Sequence, residues 1–200
     1  DKSPKISDAK KTQYKGEAHF LRGLYYFNLV RLFGDVPWID KQQTASDDLQ
    51  VSRTSKDIVY QHIIDDFSDA ASMLPAVYEN TTDIGRATKG AAFGLLAKVY
   101  LTLKRYNETL VAIDSVMNLG VYSLNRKYEW NFSDLRENGP ESLFEVQYEK
   151  DVTAYSEFDI LGQGGWHHEY MAPLASINIG GPWGNFGWFA VYPEFVESYE

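Results

Sequence analysis

From Leu24 to Phe33 the chain reads Leu-Tyr-Tyr-Phe-Asn-Leu-Val-Arg-Leu-Phe, apolar everywhere except Asn28 and Arg31. A helix of that composition has no wide polar face, so it must be enclosed by other helices. Gly34 stands where a left-handed residue ends a helix, and Pro37 prevents its resumption. The pattern predicts a first helix over 12–33, with a polar, lysine-rich, frayed lead-in over 1–11.

The segments that could enclose this helix follow at once. Thr54-Ser-Lys-Asp57 resembles a capping box with Asp in the Glu position. It opens a second helix that Pro75 stops after Leu74. Val59, Ile63, Phe67, Ala70 and Leu74 give that helix one apolar stripe at helical spacing. Asp65, Asp66 and Asp69 are expected off the stripe, on a solvated face, because ligands on one rigid helix cannot wrap a calcium ion. A third helix (87–103) and a fourth (107–119) are separated only by Lys104-Arg105-Tyr106, which forces an antiparallel hairpin. Their spacing matches the tetratricopeptide pattern. Phe93, Leu96, Ala97 and Tyr100 occupy the key positions of its first helix, and Ala97 lets the two backbones approach. Tyr106 fills the turn, Leu110, Ile113 and Val116 are expected on the inner face of the fourth helix, and Gly120 closes the unit. Phe33-Gly-Asp35 and Leu103-Lys-Arg105 hold equivalent helix-end positions two repeat lengths apart, so the repeats are interrupted by long loops.

After Val121 the helical period fails. Leu143-Phe-Glu-Val-Gln-Tyr148 alternates as a short strand, with Asn138-Gly-Pro140 as the turn before it. The expected fold class is therefore mainly α: tetratricopeptide-like helical repeats with long irregular, aromatic- and glycine-rich loops and a little β. The whole of 1–200 is read as one domain fragment. Helices with inserted loops occupy 12–122, and irregular ligand-binding loops with the start of a further helix occupy 123–200.

Composition removes several classes of function. There are no cysteines, which excludes disulfides, thiolate metal sites and a cysteine nucleophile. No apolar run is long enough to span a bilayer as a helix. The net charge is −9, and after Lys150 there are seven carboxylates with no Lys or Arg. Such a surface repels phosphate, so nucleic acid and anionic lipid are poor partners. The start lacks the features of a signal peptide, and the end falls within an apparent helix, so the chain is expected to be an internal part of a longer protein.

Four blocks, in order, resemble the SusD/RagB family of glycan-capturing surface lipoproteins. The most specific is the helix from Gly16-Glu-Ala-His-Phe-Leu-Arg through Phe33-Gly-Asp-Val-Pro37. The others are the hairpin over 87–122, the Glu141-Ser-Leu-Phe-Glu-Val-Gln-Tyr148 strand, and Gly187-Trp188 followed by Pro193-Glu-Phe-Val-Glu-Ser-Tyr-Glu200. The resemblance implies a non-catalytic protein on the outer-membrane surface. It would capture an oligosaccharide or polysaccharide and deliver it to a SusC-like TonB-dependent transporter contacted through the tetratricopeptide helices. Its membrane association would come only through a lipid anchor that this chain lacks.

Residues 160–193 carry the chemistry expected of such capture. Sugars present C–H faces ringed by hydroxyls, which suit flat aromatic rings flanked by carboxamides and few charges. Trp183-Gly-Asn-Phe-Gly-Trp188 offers two indoles with a carboxamide between them, and Glu169 is the only charged residue in the run. Trp166, Tyr170, Trp183, Asn185 and Trp188 are therefore the expected ligand-binding residues. Their alternative role is to pack these loops onto the helices; Trp38 and Trp130 are assigned to structure. His167-His168-Glu169 lacks the spacing of a zinc site, so no metal is expected. No phosphate loop, dinucleotide fingerprint or nucleophile motif is present, and no cofactor is expected. Asp159 and Glu169 are not marked as a glycosidase pair. The formal glycosylation sequons at Asn80, Asn107 and Asn131 carry no weight if the source is bacterial, as the resemblance implies. The competing reading is a tetratricopeptide scaffold that binds protein and no sugar.

Overall fold

The computed structural model describes residues 5–44, 50–132 and 136–147. Among the described residues four helices follow one another: α1 (Asp8–Phe33), α2 (Lys56–Met73), α3 (Lys89–Thr102) and α4 (Tyr106–Met117). Short 3-10 turns cover Thr81–Asp83 and Tyr128–Phe132. Each helix packs on its neighbours in sequence, α2 most heavily on α1, and α1 meets α3 only lightly. All four belong to one compact unit, Asp1–Glu145. The molecule is mainly helical, as expected.

The α2 stripe is the spine of the core. Val59, Ile63, Phe67, Ala70 and Leu74 are all buried, together with Phe20 and Phe27 from α1 and Val99 from α3. The glycines of α1 set how closely the first pair approaches. A Cβ on Gly16 would stand 2.9 Å from Met73 Cβ, and one on Gly23 would stand 3.1 Å from the Phe67 ring. Phe20 then meets Phe67 edge-on at 5.9 Å between ring centres and Phe144 at 4.9 Å.

Several expectations need correction. Helix α1 starts at Asp8, not at 12, because Ser7 caps it by accepting from the Lys10 amide at 3.3 Å and Asp8 places a carboxylate in the first turn. Nor is α1 enclosed all round. Only the face carrying Gly16, Phe20, Gly23, Phe27 and Val30 is buried, while Tyr25, Leu32 and Phe33 are exposed. The Thr54 capping box does not form; the cap of α2 is Ser55, without a side-chain bond. Asp66 is buried, not solvated.

The α3/α4 hairpin is present, with Lys104 supplying a positive φ of 59° in its turn. Leu96 and Ala97 are buried as expected. On α4, however, the buried residues are Thr109, Ala112 and Val116, while Leu110, Ile113 and Tyr106 are exposed. Small side chains at 109 and 112 permit a closer approach to α3 than Leu110 and Ile113 would, and the close contact decides which face turns inward.

The strand expected over 143–148 is not formed through Gln147, and Tyr148 lies outside the described residues. Among the described residues the β content is a single bridge, Val36 with Thr54. The turn before the expected strand exists, with Asn138 at φ 54°. Among the described residues no second strand lies alongside to complete a ladder. The segment is held instead by a bond from the Ser123 amide to the Pro140 carbonyl (2.9 Å) and by its side chains. Leu143 covers Gly94, and Phe144 joins the core.

Candidate ligand-binding site

The most specific sequence block builds an architectural corner. Gly34 has φ 68° and ψ −122°, a combination open only to glycine, and its amide bonds the Val30 carbonyl at 3.0 Å. That turn brings Asp35 to the head of α2, where its carboxylate accepts from the Lys56 amide at 2.8 Å. Val36 is buried and exchanges both backbone bonds with Thr54. The Tyr26 hydroxyl donates to the Pro37 carbonyl (3.2 Å) and accepts from the Ile39 amide (2.9 Å). Trp38 lies against Tyr26 and stacks on His62 at 4.5 Å, with the Arg22 guanidinium over its ring at 5.0 Å. Its surroundings give Trp38 the structural role expected of it. Trp130 likewise lies beneath the Arg136 guanidinium, 3.7 Å from its ring centre.

Two polar clusters went unrecognised in the sequence. Asp66 accepts from Arg22 through both carboxylate oxygens, at 2.8 and 2.6 Å, and its Oδ1 lies 2.7 Å from His19 Nδ1. The hydrogen bond to Asp66 raises the Arg22 pKa above its ordinary value, outweighing the opposite effect of burial. A signal was available: Asp66 falls seven residues after Val59 and four before Ala70, on the buried stripe itself. In the second cluster Arg86 binds both oxygens of Glu17 (3.0 and 2.8 Å), and Asp83 lies at 3.7 Å. The Tyr78 hydroxyl donates to the Ala87 carbonyl at 2.8 Å and lies 3.2 Å from Glu17. Burial first, and the Glu17 charge second, push that phenol up to about 12.

The concavities lined by described residues include two on the helical unit. A cleft of about 260 Å³ opens between the loop after α2 and the segment 138–145, with Tyr78, Thr88, Tyr122, Ser142 and Phe144 among its walls. The floor is fixed by glycines: Tyr122 lies over Gly90 so closely that a Cβ there would clash, and its hydroxyl is 3.0 Å from that of Thr88. A second hollow of about 280 Å³ follows α3 and α4, lined by Phe93, Tyr100, Val111 and Ser115. No group of three or more metal-ligating side chains occurs among the described residues.

The five residues singled out by sequence, Trp166, Tyr170, Trp183, Asn185 and Trp188, lie outside the described residues. So do Asp159, the His167-His168-Glu169 run and the helix expected from Pro193.

Comparison with known proteins places these features in a family setting. Residues 2–101 match a family model, SusD-like_3, described as starch-binding and associating with the outer membrane. A SusD-like protein of Bacteroides ovatus is 32% identical over 155 residues, which is 72% of this chain and 28% of that protein. The crystal structure of a SusD superfamily protein from Parabacteroides distasonis aligns over 100% of this chain and 41% of its own, with a TM-score of 0.82 and 30% identity. A laminarin binding SusD-like protein aligns over 72% of this chain and 32% of its own, with a TM-score of 0.66 and 28% identity. The chain thus spans well under half the length of each of these proteins.

Proposed function

Because this chain belongs to the SusD-like family, we propose that it captures glycans without catalysis, as part of a protein on the outer-membrane surface. The observation that carries the reading is the family match over 2–101, which includes the whole α1 corner and most of α3. A laminarin binding relative of the same fold supports a saccharide as ligand. In this reading Trp166, Tyr170, Trp183, Asn185 and Trp188 contact the sugar. Indoles cover C–H faces, and the carboxamide of Asn185 answers hydroxyls. The captured glycan passes to a SusC-like TonB-dependent transporter, and a lipid anchor holds the whole protein at the surface.

Stacking of this kind carries little charge, so affinity changes little between low and high salt. The test is titration of an oligosaccharide panel against the parent and a Trp183→Ala/Trp188→Ala variant, with circular dichroism to establish folding. Loss of binding in the folded variant is the expected result. Equal binding by both proteins removes these two residues from the site.

The hollow along α3 and α4 favours a second reading, a tetratricopeptide scaffold that binds a protein segment. A Val111→Asp substitution, which places a charge in that hollow, separates the two: it leaves saccharide capture intact and abolishes scaffold binding.

A further inference from the structure

We infer that the cleft between the loop after α2 and the segment 138–145 is a separate saccharide subsite that takes one neutral sugar ring. The inference rests on the capture reading above but concerns different residues, all within the helical unit.

Size comes first. At about 260 Å³ the cleft falls below the roughly 300–1,000 Å³ typical of pockets for drug-sized ligands. That space is of the order of one pyranose ring.

Charge comes second. The charged groups along the walls are engaged: Arg86 with Glu17 and Asp83, and the Glu145 carboxylate with the Asn138 amide at 3.0 Å. Tyr78 keeps its proton throughout the physiological range. An anion entering the cleft would have to compete with Glu17 and Asp83 for Arg86, whereas a neutral ligand disturbs none of these contacts.

The remaining chemistry suits a polyol. Tyr122 and Phe144 offer apolar surface, while the Ser142 hydroxyl and the one proton left over by the bonded Thr88–Tyr122 hydroxyl pair offer hydrogen bonds. The walls are also set in advance. Tyr122 is pinned over Gly90 and Leu143 over Gly94, so little ordering is lost when a ring enters.

The test uses methyl glycosides of glucose, galactose, mannose and xylose as probes, followed by saturation-transfer NMR and titration. Ser142→Phe and Val121→Trp each fill the cleft from a different wall, and circular dichroism checks both folds. The parent is expected to bind at least one glycoside. Each folded variant is expected to weaken that binding about tenfold or more, equivalent to about 1.4 kcal/mol. A crystal soak of the parent then locates the ring: density in the cleft supports the subsite, and density only elsewhere overturns it. Equal binding by a folded cleft-filled variant also overturns it. If the parent captures oligosaccharides but no single ring, the subsite alone fails. If it binds no saccharide of either kind, the capture reading fails with it.

Discussion

Replacing Arg22 by Met should be among the most damaging single changes on α1, and the reason lies in who is left behind. The Asp66 side chain is only 3% exposed and takes two of its three short polar contacts from Arg22. Without the guanidinium a buried carboxylate keeps His19 alone. Removing one partner of a buried ion pair costs about 3–5 kcal/mol. The reverse change is milder. In Asp66→Asn the Arg22 side chain, 30% exposed and lying over Trp38, can be rehydrated, so a loss of about 1–3 kcal/mol is expected. Replacing the pair together, Arg22→Met with Asp66→Leu, removes both charges and should fall near the parent, since apolar isosteres of buried pairs are often neutral. The assay is urea unfolding of all four proteins. With m of about 2 kcal/mol/M, a loss of about 3 kcal/mol moves the midpoint by about 1.5 M. An Arg22→Met midpoint within experimental error of the parent would refute the reasoning. So would a double variant as unstable as Arg22→Met, because the damage would then come from lost packing and not from a stranded charge.

Gly34→Ala should cost about 1–3 kcal/mol from backbone strain alone, since nothing stands within 4 Å of the added Cβ; an unchanged urea midpoint would show that the turn rearranges freely. Ala97→Trp should lose about 1–3 kcal/mol by overpacking α3, where Ala97 is buried, and thermal melting measures it. The Tyr78 phenol is raised in the fold to about 12, against about 10 in an unfolded chain. The native state therefore holds a proton that the unfolded chain releases. That contribution is complete below pH 10 and is lost as the pH rises toward 12. Tyr78→Phe should flatten this part of the decline when melting temperature is followed against pH.

How much of this fold could be read from the residues depended on contrast around each helix. Helix α2 has one apolar stripe among polar neighbours, and all five stripe residues are buried as expected. Helix α4 offers no such contrast, with Leu110, Val111, Ile113 and Met117 spread over several faces. There the inner face was chosen by the small side chains of Thr109 and Ala112, a packing property that periodicity does not register. The same ambiguity left one side of α1 open where enclosure was expected. Arg22 and Asp66 are separated by 44 residues, and nothing local to either announces the other. The aromatic residues expected to hold sugar were legible only as a composition, indoles among glycines with one charge, and they lie outside the described residues. The cleft beside Tyr122 was not legible, because three distant segments build it.

The corner after α1 also determines where this chain can change length. Asp35 holds the first amide of α2, and Val36 and Thr54 close the base of the intervening loop with bonds of 3.2 and 2.9 Å. Whatever lies between Ile39 and Arg53 therefore leaves and rejoins the helical stack through the same gate. Doubling the length of a flexible loop adds only about 0.6 kcal/mol of closure entropy. Insertions between those points would leave the α1–α2 contact untouched, so the gate gives related chains a place to vary a surface loop while inheriting the same frame.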